Sequence, residues 1–209
     1  MTKRIALAVL AAALLHGAPA AGQVESGYAP VNGLEMYYEV HGEGEPLVLI
    51  HGALMRIEDL GPLLEGLART RRVIAMEQQA HGRTADIDRP FSYAQMADDT
   101  AALLDHLGIE RADIVGYSMG GAITLHIATR RPDLVNRMVI AGMTFSADGA
   151  HPGVLDNVRT IQPEHFEGTG WEEAYAAVAP DPAGWARLIA RVREQEDLFQ
   201  GPPAEDLAA

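Results

Sequence analysis

A serine flanked by glycines, in Gly116-Tyr117-Ser118-Met119-Gly120, is the arrangement in this chain that most directly suggests chemistry. Residues 112–115 before it form a short apolar run that predicts a buried strand, and residues 122–131 after it predict a helix. A serine on a sharp strand-to-helix turn has an exposed hydroxyl, and glycines tolerate the strain and close packing of such a turn. The spacing predicts that Ser118 is a nucleophile, which attacks a carbonyl carbon once a base takes its proton.

The elements around this turn alternate between strands and helices. Continuous apolar runs at residues 47–50 and 72–76 predict buried strands, and apolar residues at helical spacing predict helices at residues 60–69 and 93–107. Residues 134–141 predict a further strand. Strands separated by helices of this length imply right-handed βαβ units, so the predicted fold class is α/β, with a mostly parallel sheet flanked by helices.

Two regions follow from these elements. Partly alternating segments at residues 27–32 and 34–40 predict antiparallel strands that open a core of residues 23–142. Residues 143–209 contain no further apolar run typical of a strand, and they predict a helical segment with helices at residues 153–161, 171–178 and 183–199.

Three linked motifs give the chain a resemblance to the α/β-hydrolase fold family over residues 32–142. His51-Gly52 follows the first buried strand, Ala80-His81-Gly82-Arg83-Thr84 follows the next, and the Ser118 turn follows a third. Each motif stands at the carboxyl end of a predicted strand, where open α/β sheets place their active sites. The resemblance implies a hydrolase in which a histidine, oriented by an acid, activates the serine, in the chain order serine, acid, histidine. Glu77-Gln78-Gln79 departs from the family's Asp-x-Arg-Gly pattern, and we interpret it as a loop variation without catalytic meaning.

The resemblance also implies an oxyanion hole made of two backbone N–H groups. One N–H belongs to Met119, directly after the serine, and the other belongs to Ala53, with Leu54 as the neighbouring alternative. His51 and Gly52 then support this loop. We interpret His51 as a structural imidazole, because the family order puts the base last.

The acid and the histidine of such a triad are not identified in this sequence. In the family they follow two more strands, and the residues after Phe199 contain no apolar run that predicts a strand. Asp148 is the candidate acid. The other histidines after the serine are poor candidates for the base: His126, His151 and His165. We therefore expect the 209-residue chain to be truncated before the last strands and, taken alone, to be inactive or weakly active.

The resemblance gives residues 143–209 the role of a helical lid over the serine. The last predicted lid helix carries an apolar stripe that includes Trp185, Leu188 and Val192. We expect this stripe to face the site and to bind the acyl or alcohol part of an apolar substrate. Packing of the lid on the core is the alternative for each of these residues.

Composition limits the compartment and the partners. Lys3, Arg4, the apolar run at residues 5–15 and Ala18-Pro19-Ala20 form the pattern of a signal peptide over residues 1–22. This pattern predicts a secreted or periplasmic protein with no membrane attachment after cleavage. The net charge of −13 argues against nucleic acid or anionic lipid as a partner. The absence of cysteine excludes Cys-based catalysis and Cys-ligated metals, and a serine mechanism needs no metal or cofactor.

The leading hypothesis is a hydrolase of carboxylic esters or lactones that forms an acyl intermediate on Ser118 and takes a small ester-like substrate. Peptidase, amidase and cofactor-free haloperoxidase chemistry share these motifs and stay open. Serine at this position argues against dehalogenase and epoxide hydrolase chemistry, which need a carboxylate nucleophile. The alternative from another class is a non-catalytic remnant or binding module that needs a second polypeptide for the acid and histidine. No G-x-G-x-x-G follows the first buried strand, which argues against a nucleotide-dependent oxidoreductase.

Overall fold

The computed structural model describes residues 24–197, 201–202 and 206 of the chain. The predicted signal peptide at residues 1–22 lies outside this part. Within the described residues, no helix combines the length and the apolar character needed to cross a membrane.

Six strands form one sheet in the order β1-β2-β4-β3-β5-β6. The first two strands pair antiparallel with each other, and β2 pairs antiparallel with β4, whereas β4, β3, β5 and β6 run parallel. The α/β fold class predicted from the sequence is confirmed. The strands are β1 Glu25–Val31, β2 Leu34–His41, β3 Pro46–Ile50, β4 Arg72–Met76, β5 Ala112–Tyr117 and β6 Val135–Ala141.

Six α-helices follow the predicted segments to within a few residues. They are α1 Gly61–Ala68, α2 Tyr93–His106, α3 Met119–Arg130, α4 Val154–Arg159, α5 Trp171–Ala176 and α6 Trp185–Asp197. Helix α2 is capped at its amino end, because the Ser92 hydroxyl accepts a hydrogen bond from Gln95 N at 3.2 Å. Gly108 follows this helix with a φ of +66°, a conformation that ends helices.

The sheet is covered on both faces. Helices α2 and α3 contribute to the larger core cluster, which contains Val48, Ile50 and Ile74, whereas α1 covers Leu49 and Val73 on the other face. Because β3 and β4 are buried from both sides, their sequences are continuous apolar runs instead of alternating ones. Because β3 and β4 are packed on both faces, their ends are held in fixed positions.

The helices of the predicted lid pack onto the core through apolar and ionic contacts. Trp185, Leu188 and Val192 are fully buried in the larger core cluster, and the Trp185 ring lies edge-on to Phe166 at 5.4 Å between ring centroids. The structure therefore shows these three side chains packing the lid on the core, and their contact with a substrate stays a prediction. Arg191 adds an ionic contact to Asp86 of the core at 3.3 Å.

Strand β6 forms the far edge of the sheet. No described strand pairs with its outer side. Met138 is 43% exposed and Val139 is 58% exposed, which is unusual for apolar side chains in an α/β sheet. This edge is open in the described part of the chain, as the sequence led us to expect.

Candidate active site

The carboxyl ends of three adjacent parallel strands bring the predicted motifs together. His51 follows β3, Glu77 follows β4 and Ser118 follows β5, and these strands are neighbours in the sheet. Since β3 lies between β4 and β5, the loop that starts at His51 lies beside the serine turn. This loop, residues 51–56, is called the H-G loop below.

The serine turn has the strained geometry that its sequence predicts. Ser118 has φ +52° and ψ −118°, a region that residues with a side chain rarely adopt, and it is half-buried. The flanking glycines are required by close approach. A Cβ at Gly120 would lie 2.3 Å from the Ile50 carbonyl oxygen, and a Cβ at Gly116 would lie 2.2 Å from the Gly120 oxygen. The turn is therefore locked against the end of β3.

Helix α3 leaves the N–H of Met119 available at the serine turn. The first backbone bonds of the helix run from Gly121 N and Ala122 N to the Ser118 oxygen, at 2.8 and 3.3 Å. The Met119 N–H precedes these bonds and has no intrahelical partner. A helix N-terminus also carries partial positive charge, so this N–H can stabilise a negative oxygen.

The H-G loop fixes the direction of a second N–H. The Gly52 oxygen accepts from His51 Nδ1 at 2.7 Å and from Met55 N at 3.2 Å. Because the peptide bond is trans, the Ala53 N–H points away from these donors. A Cβ on Gly52 would lie only 3.4 Å from the Ser118 Cβ, so the loop directly adjoins the serine. Leu54 has a φ of +66°, which marks a second strained residue at the same place.

Both ring nitrogens of His51 are engaged in structural hydrogen bonds. A carbonyl oxygen only accepts, so Nδ1 carries the proton that bonds Gly52 O, and Nε2 accepts the Gln78 N–H at 3.1 Å. The ring is fully buried, and burial lowers the pKa of His51 to about 4. Because its lone pair is occupied and it is neutral at pH 7, His51 holds the loop and does not take a proton from Ser118.

His81 is a neighbour of His51 in the core. Its ring is 5.0 Å from the His51 ring between centroids, and it also stacks on Phe91. Nδ1 donates to the Gln79 oxygen at 2.9 Å, and burial lowers the pKa of His81 to about 3. These contacts and its low pKa make His81 a neutral structural residue.

Glu77 has a structural role that the sequence interpretation missed. The carboxylate is fully buried and accepts from Ile57 N at 3.3 Å, from Arg83 N at 2.5 Å and from Arg83 Nη1 at 2.9 Å. It thereby joins the segment after the H-G loop to the turn after β4. Burial raises the pKa of Glu77 from its usual value. The sequence signal that could have found it is an acid directly after a buried strand.

The candidate acid and the other histidines make no described hydrogen bond to the serine. Asp148 is exposed on a 3₁₀ turn, Ala147–Gly149, after β6. His126 is half-buried and stacks with Tyr93, whereas His151 and His165 are exposed. Among the described residues, no hydrogen bond joins the Ser118 hydroxyl to a histidine. The structure therefore places the predicted nucleophile beside the predicted oxyanion donors, and no histidine among the described residues is hydrogen-bonded to that serine.

Two further features concern ligands. The described residues include no group of three or more His, Asp or Glu side chains with a metal-binding arrangement. A cleft of about 430 Å³ lies at the amino ends of the parallel strands, lined by Pro46, Asp113 and Asn136 among others. This cleft is at the opposite end of the strands from Ser118, so it is not the predicted active site.

The chain belongs to the alpha/beta hydrolase fold family, whose model matches residues 45–195. This match confirms the resemblance deduced from the three motifs.

Curated relatives of the chain include several hydrolases. The chain is 30% identical over 137 residues to an (E)-2-((N-methylformamido)methylene)succinate hydrolase of Acinetobacter baylyi, over 65% of this chain and 52% of that protein. It is 40% identical over 105 residues to a 2-hydroxymuconate semialdehyde hydrolase of Pseudomonas putida, over 48% of this chain and 37% of that protein. A soluble epoxide hydrolase of Corynebacterium sp. is 32% identical over 115 residues, over 55% of this chain and 40% of that protein. The chain thus spans about half of these relatives or less.

Solved structures with the same fold include epoxide hydrolases. The epoxide hydrolase CorEH superposes with a TM-score of 0.62 at 21% identity, over 88% of this chain and 75% of that chain, which shows the fold. Potato (Solanum tuberosum) epoxide hydrolase I superposes with a TM-score of 0.56 at 27% identity, over 66% of this chain and 46% of that chain.

Proposed function

We propose that this protein hydrolyses carboxylic esters or lactones through an acyl intermediate on Ser118. The observation that carries the proposal is the strained serine turn, with φ +52° at Ser118, set directly against the H-G loop. The N–H groups of Met119 and Ala53 are the proposed donors to the oxyanion, because neither has a backbone partner among the described residues and each adjoins the serine.

The proposed reaction has two acyl-transfer steps. Ser118 Oγ attacks the substrate carbonyl carbon, its proton passes to a base, and the negative oxygen of the tetrahedral intermediate accepts from the two N–H groups. The alkoxide then leaves with that proton as the alcohol, and an ester of the serine remains. Water attacks this ester, the acid is released and the serine regains its proton. The described residues supply every part of this scheme except the base and the acid that orients it.

The residue at the turn favours an acyl substrate over an epoxide, although epoxide hydrolases are among the relatives and structural neighbours. Attack of a serine oxygen on an epoxide carbon forms an ether, which water does not readily cleave. Attack on an ester or lactone forms a new ester, which water cleaves. Ser118 therefore fits turnover of carbonyl substrates, and amides and carbon–carbon bonds next to a carbonyl belong to the same chemical class.

Covalent labelling tests the proposal directly. The full 209-residue chain is incubated with a fluorophosphonate, in which the serine oxygen displaces fluoride from phosphorus, and the modified peptide is identified by mass. We expect labelling at Ser118 that disappears in Ser118→Ala and persists in Ser146→Ala, a matched serine after β6. Folded protein that takes no label at Ser118 would contradict the claim that this chain is an enzyme on its own. Hydrolysis of p-nitrophenyl esters, with no turnover of styrene oxide, is the accompanying substrate test.

A second candidate is that the acid and histidine come from another polypeptide. The open outer side of β6, with Met138 and Val139 exposed beside the serine strand, favours it. Under this hypothesis the purified chain binds the probe reversibly but is labelled only slowly. Labelling of the isolated chain within minutes at micromolar probe would contradict it.

A further inference from the structure

The side chain of Arg56 joins the end of the H-G loop to the lid. Its guanidinium contacts both carboxylate oxygens of Asp59, with Nη2 2.8 Å from Oδ1 and Nε 3.2 Å from Oδ2. The remaining nitrogen, Nη1, donates to the Ala174 oxygen at 2.9 Å. The Asp59 carboxylate also accepts from Arg56 N at 2.8 Å, so the guanidinium is held in one orientation.

Ala174 lies in the last turn of lid helix α5. The last four carbonyls of a helix have no intrahelical partner, and the Val178 N–H bonds Tyr175 O and leaves Ala174 O free for another donor. A cation at this end of a helix is also favoured by the helix dipole. Arg56 thus caps α5 across 118 residues of sequence.

The two residues after Arg56 are held from the core side. Ile57 N donates to Glu77, and Glu58 pairs with Arg83, which itself contacts Glu77 at 2.9 Å. Residues 56–58 are therefore fastened to the lid at their first residue and to the core at the next two. Because residues 57 and 58 are held by the core, they can adjust little when Arg56 moves.

On the amino side, the H-G loop is stiff up to Ala53. The Met55 N–H bonds Gly52 O, and Leu54 between them has a φ of +66°. A shift of Arg56 therefore rotates this turn as a unit. Because the trans peptide couples Gly52 O to the Ala53 N–H, such a rotation redirects that N–H.

We propose that Arg56 is a positioning residue that couples the placement of lid helix α5 to the direction of the Ala53 N–H. This proposal rests on the proposed function, in which that N–H stabilises the oxyanion. When α5 is bound to Arg56, the Ala53 N–H is held in the direction of the oxyanion. When α5 moves away, this N–H is no longer held in that direction. One movement of the lid then both excludes water from the site and positions the oxyanion donor.

Amide resonances test the coupling without requiring catalysis. The chain is labelled with 15N-alanine, and the Ala53 resonance is identified by its loss in Ala53→Gly. In Arg56→Met we expect the resonances of Ala53 and of the α5 alanines to move together, because a displaced α5 changes the direction of the Ala53 N–H. Arg187→Met is the control, because Arg187 pairs with Asp86 of the core and with Asp181 of the lid, and none of its described contacts is to the H-G loop. If only the α5 resonances move in Arg56→Met, the coupling is wrong.

Labelling kinetics add a readout that a purely structural role would not move. In Arg56→Met we expect the maximal rate of fluorophosphonate labelling to fall about 10-fold with unchanged half-saturation, because a misdirected donor affects the transition state and not the binding of the probe. Arg56→Lys is expected to restore part of the rate, since its ammonium can still donate to Ala174 O. An equal fall in Arg187→Met would contradict the proposal. If the parent chain takes no label, the proposed function fails, and the Ala53 resonance still decides the coupling.

Discussion

Two segments flank the serine turn on its two sides in the sheet, and they differ in how fully their groups are paired. On the β3 side, the H-G loop is hydrogen-bonded through its backbone and through both ring nitrogens of His51. The residue that follows the loop is bonded to Glu77, which in turn pairs with Arg83. On the other side, β6 offers an unpaired edge and exposed apolar side chains. The difference is that the groups of the H-G loop are paired among the described residues, whereas no described strand pairs with the outer side of β6.

The largest effect is expected where the serine turn touches β3. In Gly120→Val the new side chain meets the Ile50 carbonyl, 2.3 Å from a Cβ, and neither backbone can move away. We expect a loss of about 4 kcal/mol in the free energy of unfolding, at the upper end for single substitutions. Denaturant titration measures it. The control is Gly66→Ala in the exposed part of α1, where nothing lies within 4 Å of a Cβ, and it is expected to stabilise by about 0.5 kcal/mol.

The second-largest effect on the free energy of unfolding is expected at the buried carboxylate of Glu77. Glu77→Gln leaves Arg83 facing a neutral amide in a buried place and weakens three hydrogen bonds, so we expect a loss of about 3 kcal/mol. Glu58→Gln removes the more exposed partner of the same arginine and is expected to cost less than about 1 kcal/mol. Equal losses in the two variants would show that Glu77 does not anchor the H-G loop.

The two buried histidines predict a pH dependence with a definite sign. Their pKa values in the folded state, about 4 for His51 and about 3 for His81, lie below the ordinary value of 6.5, so the unfolded chain binds protons that the folded chain does not. Stability is therefore complete above pH 6.5 and is lost as pH falls toward 4, by up to about 1.4 kcal/mol per pH unit for each histidine. In His81→Phe we expect a shallower slope of the free energy of unfolding between pH 4.5 and 6.5.

The smallest effect on stability is expected at the open edge. Val139→Lys replaces a side chain that is already 58% exposed, so the free energy of unfolding should change by less than about 0.5 kcal/mol. A charge on an edge strand opposes pairing with another edge, so self-association should fall. Sedimentation velocity over a range of concentrations measures this change. A large loss of stability would mean that β6 is not an edge in solution.

Sequence reasoning reached the fold and the serine turn because both depend on local patterns. Buried strands are continuous apolar runs, and the glycines around Ser118 are demanded by contacts within a few residues and with the adjoining β3. The position of β4 between β2 and β3 was not predicted, because strand order depends on crossovers and not on composition. The roles of Glu77 and Arg56 were also missed. Glu77 bonds Ile57, 20 residues away in sequence, as well as the nearby Arg83. Arg56 bonds Ala174, 118 residues away, and the sequence pattern does not predict the two distant contacts.

The most direct test of the account is the structure of the chain after reaction with a fluorophosphonate. The tetrahedral phosphorus adduct imitates the intermediate of acyl transfer, and its oxygen stands in the position of the oxyanion. We predict phosphorus bonded to Ser118 Oγ, with that oxygen about 3 Å from both Ala53 N and Met119 N. An adduct on another residue, or an adduct on Ser118 whose oxygen contacts neither N–H, would contradict the assignment of nucleophile and oxyanion donors.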